Sequence, residues 1–199
     1  TALTTIGQVL SCSLVAYGFA RFNFKGKNVL FMILLSTMMI PWDVTMIPQY
    51  MEFNLFGWIN TLKPLIVPAW FGSAYYVFLM RQFLMGIPKD FLDAARVDGC
   101  TEYGIFFKIM IPLMKPSFAA MGIYQGMQSW NNFLWPMIVT NSIDKITLPV
   151  GLQSLLSPYG NNYDILIAGS CFAIIPILAL FVCFQRYFIE GMTAGGVKG

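Results

Sequence analysis

Histidine is absent from the 199 residues. Imidazole acid–base chemistry and histidine metal ligation are thereby excluded. Charge is scarce too: 11% of residues are Asp, Glu, Lys or Arg, against about 25% in ordinary soluble domains. A formal net charge of +3 makes no case for a nucleic-acid surface. The four cysteines, Cys12, Cys100, Cys171 and Cys183, lie far apart and form no CxxC pair. Neither a disulfide framework nor a zinc site is indicated, and buried free thiols are expected. No G-x-x-x-x-G-K-[ST] occurs, so any ATP chemistry has to come from another chain. No GxSxG and no paired carboxylates within an apolar run occur. An intramembrane enzyme is therefore unsupported, and neither a catalytic residue nor a metal ligand is assigned.

What fills the chain instead is apolar: 57% of residues are hydrophobic and the mean hydropathy is +0.66. That places it among membrane proteins. A spanning helix needs about 20 mostly apolar residues. Five runs qualify: Thr4–Ala20, Val29–Tyr50, Leu62–Leu84, Ser117–Thr140 and Ile165–Phe184. The first is diluted by Thr4, Thr5, Gln8, Ser11 and Ser13, which suits a helix packed inside a bundle. The expected fold is all-α, a polytopic transmembrane helical bundle forming a single permease-like domain over 1–199. The chain begins at Thr1 and not Met, and a longer protein with one further upstream span, six in all, is expected.

Basic residues set the orientation. Ten of the 12 Lys and Arg residues follow the first, third and fifth runs, and only Lys63 and Lys145 fall on the other side. This bias predicts that 88–112 and the C-terminus are cytoplasmic, with Met51–Asn60 and Asn141–Asp164 outside.

Two runs carry polar interruptions. Pro41-Trp42-Asp43 and Pro48 break the second, because proline removes a donor and clashes with the preceding turn. Asp43 either lines a polar path or lies in the outer headgroup zone beyond a helix that ends at Pro41. The fourth holds Gly122 and Gly126 at GxxxG spacing, which permits close helix approach. It also carries Gln125, Gln128, Trp130, Asn131 and Asn132, followed by Trp135 and Pro136. Indole faces with amides suit a sugar-contacting wall; the same residues suit an interfacial aromatic belt with inter-helix hydrogen bonds. The polar segment Asn141–Asp164, with Pro149, Gly151, Pro158, Gly160, Asn161 and Asn162, is long enough to touch an external partner or to pack back on the bundle.

The segment 88–112, PKDFLDAARVDGCTEYGIFFKIMIP, is the most charged part of the chain. Asp90 is a natural N-cap with Asp93 three residues on, so Phe91–Asp98 is expected to be helical. Gly99 suits the position after a helix end. Thr101 is expected to cap a second helix running through Ile111 and ended by Pro112. Helices this short are marginal alone and need a surface to dock on. Small Ala94 and Ala95 fit a groove, with Arg96 and Asp98 at its rim.

Asp93-Ala94-Ala95-Arg96-Val97-Asp98-Gly99, followed by Ile109-Met110-Ile111-Pro112, resembles the EAA loop of ABC importer permeases. Asp93 stands for the usual Glu and Ile111 for the usual Leu; Ala94, Ala95, Gly99, Ile109 and Pro112 match. Ala16-Tyr17-Gly18-Phe19-Ala20-Arg21-Phe22, Trp130 to Pro136, Thr147 to Leu152 and the tail from Gly191 are similar to the carbohydrate branch, the maltose-type second permease. The resemblance implies a prokaryotic plasma (inner) membrane protein in lipid, with a second and different permease beside it. It further implies two ATPase subunits below, which bind ATP and Mg and receive the EAA helix in a cleft, and an external solute-binding protein. Closure of the ATPases would flip the path from inward-facing to outward-facing, with this chain binding no cofactor itself. An ion-coupled transporter or channel is the alternative, for which Asp43 is the only serious candidate in runs that are nearly free of charge. An importer permease for a non-sugar solute is another.

Overall fold

The computed structural model describes residues 1–88, 90–156 and 163–196. Among them the chain is all-helical, with no strand. Helix α1 is Ala2–Arg21, α2 Lys27–Ser36, α3 Trp42–Leu55, α4 Lys63–Ile66 and α5 Ala74–Gly86. Helices α6 (Asp90–Val97), α7 (Glu102–Ile105) and α8 (Ile111–Leu113) make up the loop, with a π-helical turn, Phe106–Met110, between α7 and α8. Then come α9 (Lys115–Trp130), α10 (Leu134–Val139), α11 (Leu148–Ser154) and α12 (Tyr163–Gly196).

Five uninterrupted spans are not what the chain forms. Two helices, Ala2–Arg21 and the Tyr163–Cys183 part of α12, are long and apolar enough to cross a membrane. Up to four qualify if each of two bent pairs counts as one span. The expected second span turns by 96° between Lys27–Met39 and Trp42–Leu55. Pro41, at ψ 138°, sits at the corner and α3 runs off crosswise. Pro48 does not interrupt it; α3 continues through that proline. The third run is broken into α4, a 3₁₀ segment Val67–Phe71 and α5, with Gly72 at φ +87° between them. The fourth ends early: α9 stops at Trp130, and Asn131 and Asn132 separate it from α10.

A break inside a membrane leaves N–H and C=O groups that lipid cannot satisfy. Helix α1 supplies the partners. Thr4, Gln8 and Cys12 recur every four residues and so share one face; all three are buried. The Thr4 hydroxyl donates to the Leu65 carbonyl at 3.4 Å. With its amide oriented to match its neighbours, Gln8 donates to Ala69 O at 2.9 Å and accepts from Ser73 N–H at 3.0 Å. Cys12 Sγ lies 3.3 Å from Ser73 N. Gly7 keeps the approach close, since a Cβ there would meet the Trp70 indole at 2.4 Å. The polar dilution of the first run is thus the complement of the break in the third.

One core joins α1, α5 and α9 to the loop through Ala16, Tyr17, Met80, Leu84, Ile105, Phe106, Met110 and Met114. A second, at the opposite end, gathers Phe53, Trp135 and Val139. Asn60 locks that end: its amide oxygen accepts from the Asn141 and Ser142 N–H groups at 3.0 and 2.9 Å, and its own N–H donates to Val139 O at 2.7 Å. Helix α12 packs along α9 and α11. At the GxxxG pair only Gly126 has close neighbours, Leu180 and Thr5, while Gly122 faces open space. Of the cysteines only Cys12 is buried; Cys100, Cys171 and Cys183 are exposed. The latter two ride on α12, whose apolar segment Tyr163–Cys183 has no fully buried residue.

Replacing Gln8 by Leu removes the partner of Ala69 O and leaves Ser73 N–H with Cys12 Sγ alone. About 1–3 kcal/mol of stability is expected to be lost, read as a lower thermal midpoint of the purified protein in detergent. Gln128→Leu, at an exposed amide, is the control expected to leave that midpoint unchanged.

Candidate functional site

Two features concentrate the polar and exposed aromatic residues: the loop helices and a cavity at the other end of α9. Helix α6 begins at Asp90, which is its first helical residue and not its cap. It is two turns long and strongly amphipathic. Leu92 and Ala95, three residues apart, are 2% and 5% exposed and join the main core. Burying Leu92 in water supplies about 1.5–3 kcal/mol, the order needed to hold a helix too short to stand alone. The other faces carry Phe91, Asp93, Ala94, Arg96 and Val97, all exposed, Val97 to 87%. Ala94 and Ala95 therefore part company: Ala94 faces outward, and Ala95 anchors the helix to its own chain.

Gly99 adopts φ +77°. Its N–H donates to Arg96 O, and the Cys100 N–H donates to Ala95 O at 2.9 Å, closing the helix end. Asp98 is exposed beside it. The Thr101 hydroxyl accepts from Gly104 N–H at 3.2 Å and caps α7. Pro112 does not end this second helix. It has no N–H to offer the Lys108 carbonyl; the ladder widens to a π turn at Phe106–Met110 and runs on to Leu113. The chain bends by 72° there to enter α9. Ile109 is half-buried and Pro112 exposed.

Arg96 spans the two loop helices. Its Nη1 donates to Asp93 Oδ1 at 3.0 Å and its Nε to Glu102 Oε1 at 2.9 Å. The hydrogen bond to Glu102, and then that carboxylate's charge, hold the guanidinium above its ordinary pKa. The second Glu102 oxygen accepts from Tyr17 of α1 at 3.2 Å. Arg21, at the end of α1, donates to the Leu84 and Ile87 carbonyls where α5 gives way to the loop. The start of the loop and its helix α7 are thereby tied to α1. Glu102, Tyr17 and Arg21 carry this linkage; the i,i+6 spacing of Arg96 and Glu102 across a glycine gives no periodic signal to find it by.

The cavity holds about 600 Å³ and opens beside the break after α9. Gln125, Gln128, Asn131 and Asn132 line it, together with Trp42 and Trp135. Trp130 is not in its wall: its indole N–H donates to Ala173 O of α12 at 3.0 Å. The Trp135 N–H donates to Pro64 O at 3.3 Å. Both indoles thus make the inter-segment bonds of a packed belt, while Trp135 also offers ring surface to the cavity. Asp43 lies exposed in the first turn of α3, outside the cavity lining. A second, more apolar cavity of about 350 Å³ lies between α5 and α9, lined by Tyr75, Tyr76, Phe83, Met121 and Tyr124. Gln128 links the two by donating to the Tyr124 hydroxyl at 3.1 Å. The tyrosines carry no sequence signal beyond their number; only the pairing of α5 with α9 brings them together. Among the described residues no three His, Cys, Asp or Glu side chains gather at a spacing that could hold a metal. Pro158, Gly160, Asn161, Asn162, Lys89 and Lys198 lie outside the described residues.

Residues 10–193 match the family described as the binding-protein-dependent transport system inner membrane component. The arabinooligosaccharides transport system permease protein AraQ of Halalkalibacterium halodurans is 54% identical over 192 residues, 96% of this chain and 68% of that protein. The protein of the same name from Bacillus subtilis is 52% identical over 196 residues, covering 98% and 69%. Among solved structures, a bacterial ABC transporter involved in the import of the acidic polysaccharide alginate superposes with a TM-score of 0.77 at 25% identity, over 94% of this chain and 73% of that one. The chain belongs to this family of membrane permeases.

Because no atom lies within 4 Å of a Cβ built on Gly99, Gly99→Ala strains only the backbone, by about 1–2 kcal/mol. Gly99→Asn is expected to cost less, since asparagine tolerates the left-handed region. Amide hydrogen exchange across 90–105 measures both; equal protection in the two variants contradicts the capping role.

Proposed function

We propose that this permease is the transmembrane subunit of an ATP-driven, binding-protein-dependent importer for a sugar or oligosaccharide. In it the loop 88–112 couples an ATPase to alternating access. The observation that carries this reading is the two-sidedness of α6. Leu92 and Ala95 lock it to the same core as α1, α5 and α9, while its outer faces stay uncovered. Phe91, Val97, Tyr103 and Phe107 are exposed apolar side chains around the Asp93–Arg96–Glu102 cluster. An apolar patch with a charged rim is what a docking protein covers. A push on that patch reaches α1 through Tyr17 and the bundle through the shared core.

The sugar assignment follows the arabinooligosaccharide relatives and the chemistry of the cavity. Amides offer donors and acceptors to hydroxyl groups, and aromatic faces offer apolar surface to sugar rings. Gln125, Gln128, Asn131 and Asn132 supply the first, and Trp42, Trp135 and the tyrosines of the adjoining cavity the second. Trp130 and Asp43 are left to packing and surface roles. In this assembly the loop and C-terminus face the cytoplasm, as the basic residues require. The bent pair Lys27–Met39 with Trp42–Leu55, the broken third run and α9 with α10 each serve as one span, making five with α1 and α12 in this chain within one domain over 1–199. Lipid and a second permease cover the apolar face of α12. ATP and Mg belong to the two ATPase subunits, and a solute-binding protein delivers sugar from outside. No Asp, Glu, Lys or Arg side chain among the described residues lines either cavity to support ion coupling.

Asp93→Lys and Ala94→Trp both alter the outward side of α6 and leave Leu92 and Ala95 in place. Each is expected to lower solute-stimulated ATPase activity and uptake of labelled arabinooligosaccharide about ten-fold or more, with normal insertion in the membrane. Wild-type stimulation in both variants overturns the reading.

A further inference from the structure

We propose that Arg21 and Tyr17 are positioning residues for transport: they make α1 a strut that carries a displacement of the loop to the wall of the amide-lined cavity. This rests on the importer reading and names the part that joins its two sites. Tyr17 and Arg21 stand four residues apart near the end of α1 and so share a face. Arg21 Nη2 donates to the Leu84 and Ile87 carbonyls, the second at 2.9 Å, where α5 ends just before α6. The Tyr17 hydroxyl donates to Glu102 at 3.2 Å, just after α6. Both flanks of the docking helix are thus bonded to one turn of α1. The bonds are directed ones. Carbonyls at a helix C-terminus favour a cation, and among the described residues no carboxylate competes for Arg21; the ion pairs there belong to Arg96. Tyr17 is buried, with its ring packed against Phe22 and Phe106 at centroid distances of 5.6 and 5.0 Å, so its hydroxyl is aimed at Glu102 by packing.

The other end of α1 lies at the cavity. Thr1 and Thr4 line it, and the Thr4 hydroxyl donates to the carbonyl of Leu65, which lines it too. Between the two ends, Gln8 and Cys12 fasten α1 to Ala69 and Ser73. The 20 residues of uninterrupted helix reach about 30 Å. A shift of the loop end therefore moves the cavity end and draws the broken third run with it. Helix α9 also runs from loop to cavity, but it leaves the loop through a π turn and a 72° bend, which turns a push along one axis across the next. Helix α1 meets the loop by side-chain bonds, with no bend between them and the cavity. Cutting those bonds leaves Leu92 and Ala95 in the shared core, so α6 keeps its docking face while the movement it receives is no longer passed on.

The whole complex in proteoliposomes, with its ATPase subunits, second permease and solute-binding protein, gives labelled arabinooligosaccharide taken up per ATP hydrolysed. Arg21→Gln is expected to lower this ratio about five-fold or more. Arg21→Lys is expected to keep most of it, because an ammonium can still donate to both carbonyls. Tyr17→Phe, which keeps the ring between its neighbours, is expected to lower it by less. Lys25→Gln, at an exposed cation beyond the end of α1, is expected to leave it unchanged. An unchanged ratio in both Arg21→Gln and Tyr17→Phe overturns the proposal. Uptake and hydrolysis that fall in step overturn it too, since that is the mark of lost packing or docking. A second readout needs no sugar. An environment-sensitive dye on Thr1→Cys, in a chain whose exposed Cys100, Cys171 and Cys183 are replaced by Ser, reports the cavity end of α1. Closing the ATPase subunits with ATP and vanadate is expected to shift the dye signal, and to shift it about five-fold less with Arg21→Gln. A dye that does not respond in the otherwise unaltered chain, or responds equally with Arg21→Gln, overturns the proposal. A complex that shows the shift and its loss yet takes up no sugar leaves the role of Arg21 standing and counts against the importer reading alone.

Discussion

A polypeptide that leaves helical geometry inside a bilayer exposes N–H and C=O groups where no water can reach them. The third apolar run does so between Val67 and Ser73, and the rest of the architecture accommodates it. The Thr4, Gln8 and Cys12 face of α1 lies against that break because it is the surface that can bond to it. Once α1 is docked there, its far end is placed too. Tyr17 reaches Glu102 and Arg21 reaches the carbonyls at the end of α5. The repair of one break thus fixes where the loop starts and how it is held.

The second break, at Asn131 and Asn132, is handled differently. Here the irregular backbone borders a cavity large enough for water or solute. Non-helical backbone at membrane depth is tolerated in either setting, buried in protein or facing an aqueous cavity. The two breaks of this chain use one each. The sealed one is structural, and the open one carries the amides that suit a sugar. Between them the Gln128–Tyr124 bond joins the two cavities on α9, so the polar end of the path runs on into the aromatic groove beside α5.

The loop shows how a marginal element becomes a lever. Exposed ion pairs such as Arg96 with Asp93 are worth little in water, so they do not hold α6 in place. Leu92 and Ala95 do, by burial. The charges instead link α6 to α7 and to α1 through Arg96, Glu102 and Tyr17. The π turn before Pro112 and the 72° bend after it redirect the chain into α9, the helix that carries the cavity residues at its other end. Loop and cavity therefore share one rod.

Composition alone determined the class of this protein. A chain this apolar is a membrane component, and the Asp93-Ala94-Ala95 to Gly99 pattern pointed to the loop proposed here as its coupling element. Gly99 was legible because only one backbone conformation explains a glycine at that place. The amides Gln125, Gln128, Asn131 and Asn132 were legible because such groups need partners wherever they are. What the residues could not tell was which apolar runs stay straight, since hydropathy counts side chains and is blind to backbone direction. Pro41 turned one run through 96° and Pro48 left its helix intact. Nor could they tell that Ala94 and Ala95 face opposite ways, that Trp130 packs on α12, or that Tyr75, Tyr76 and Tyr124 meet. Those outcomes depend on which faces of distant helices come together. That was decided by tertiary packing, in which the Thr4, Gln8 and Cys12 face of α1 meets the break in the third run.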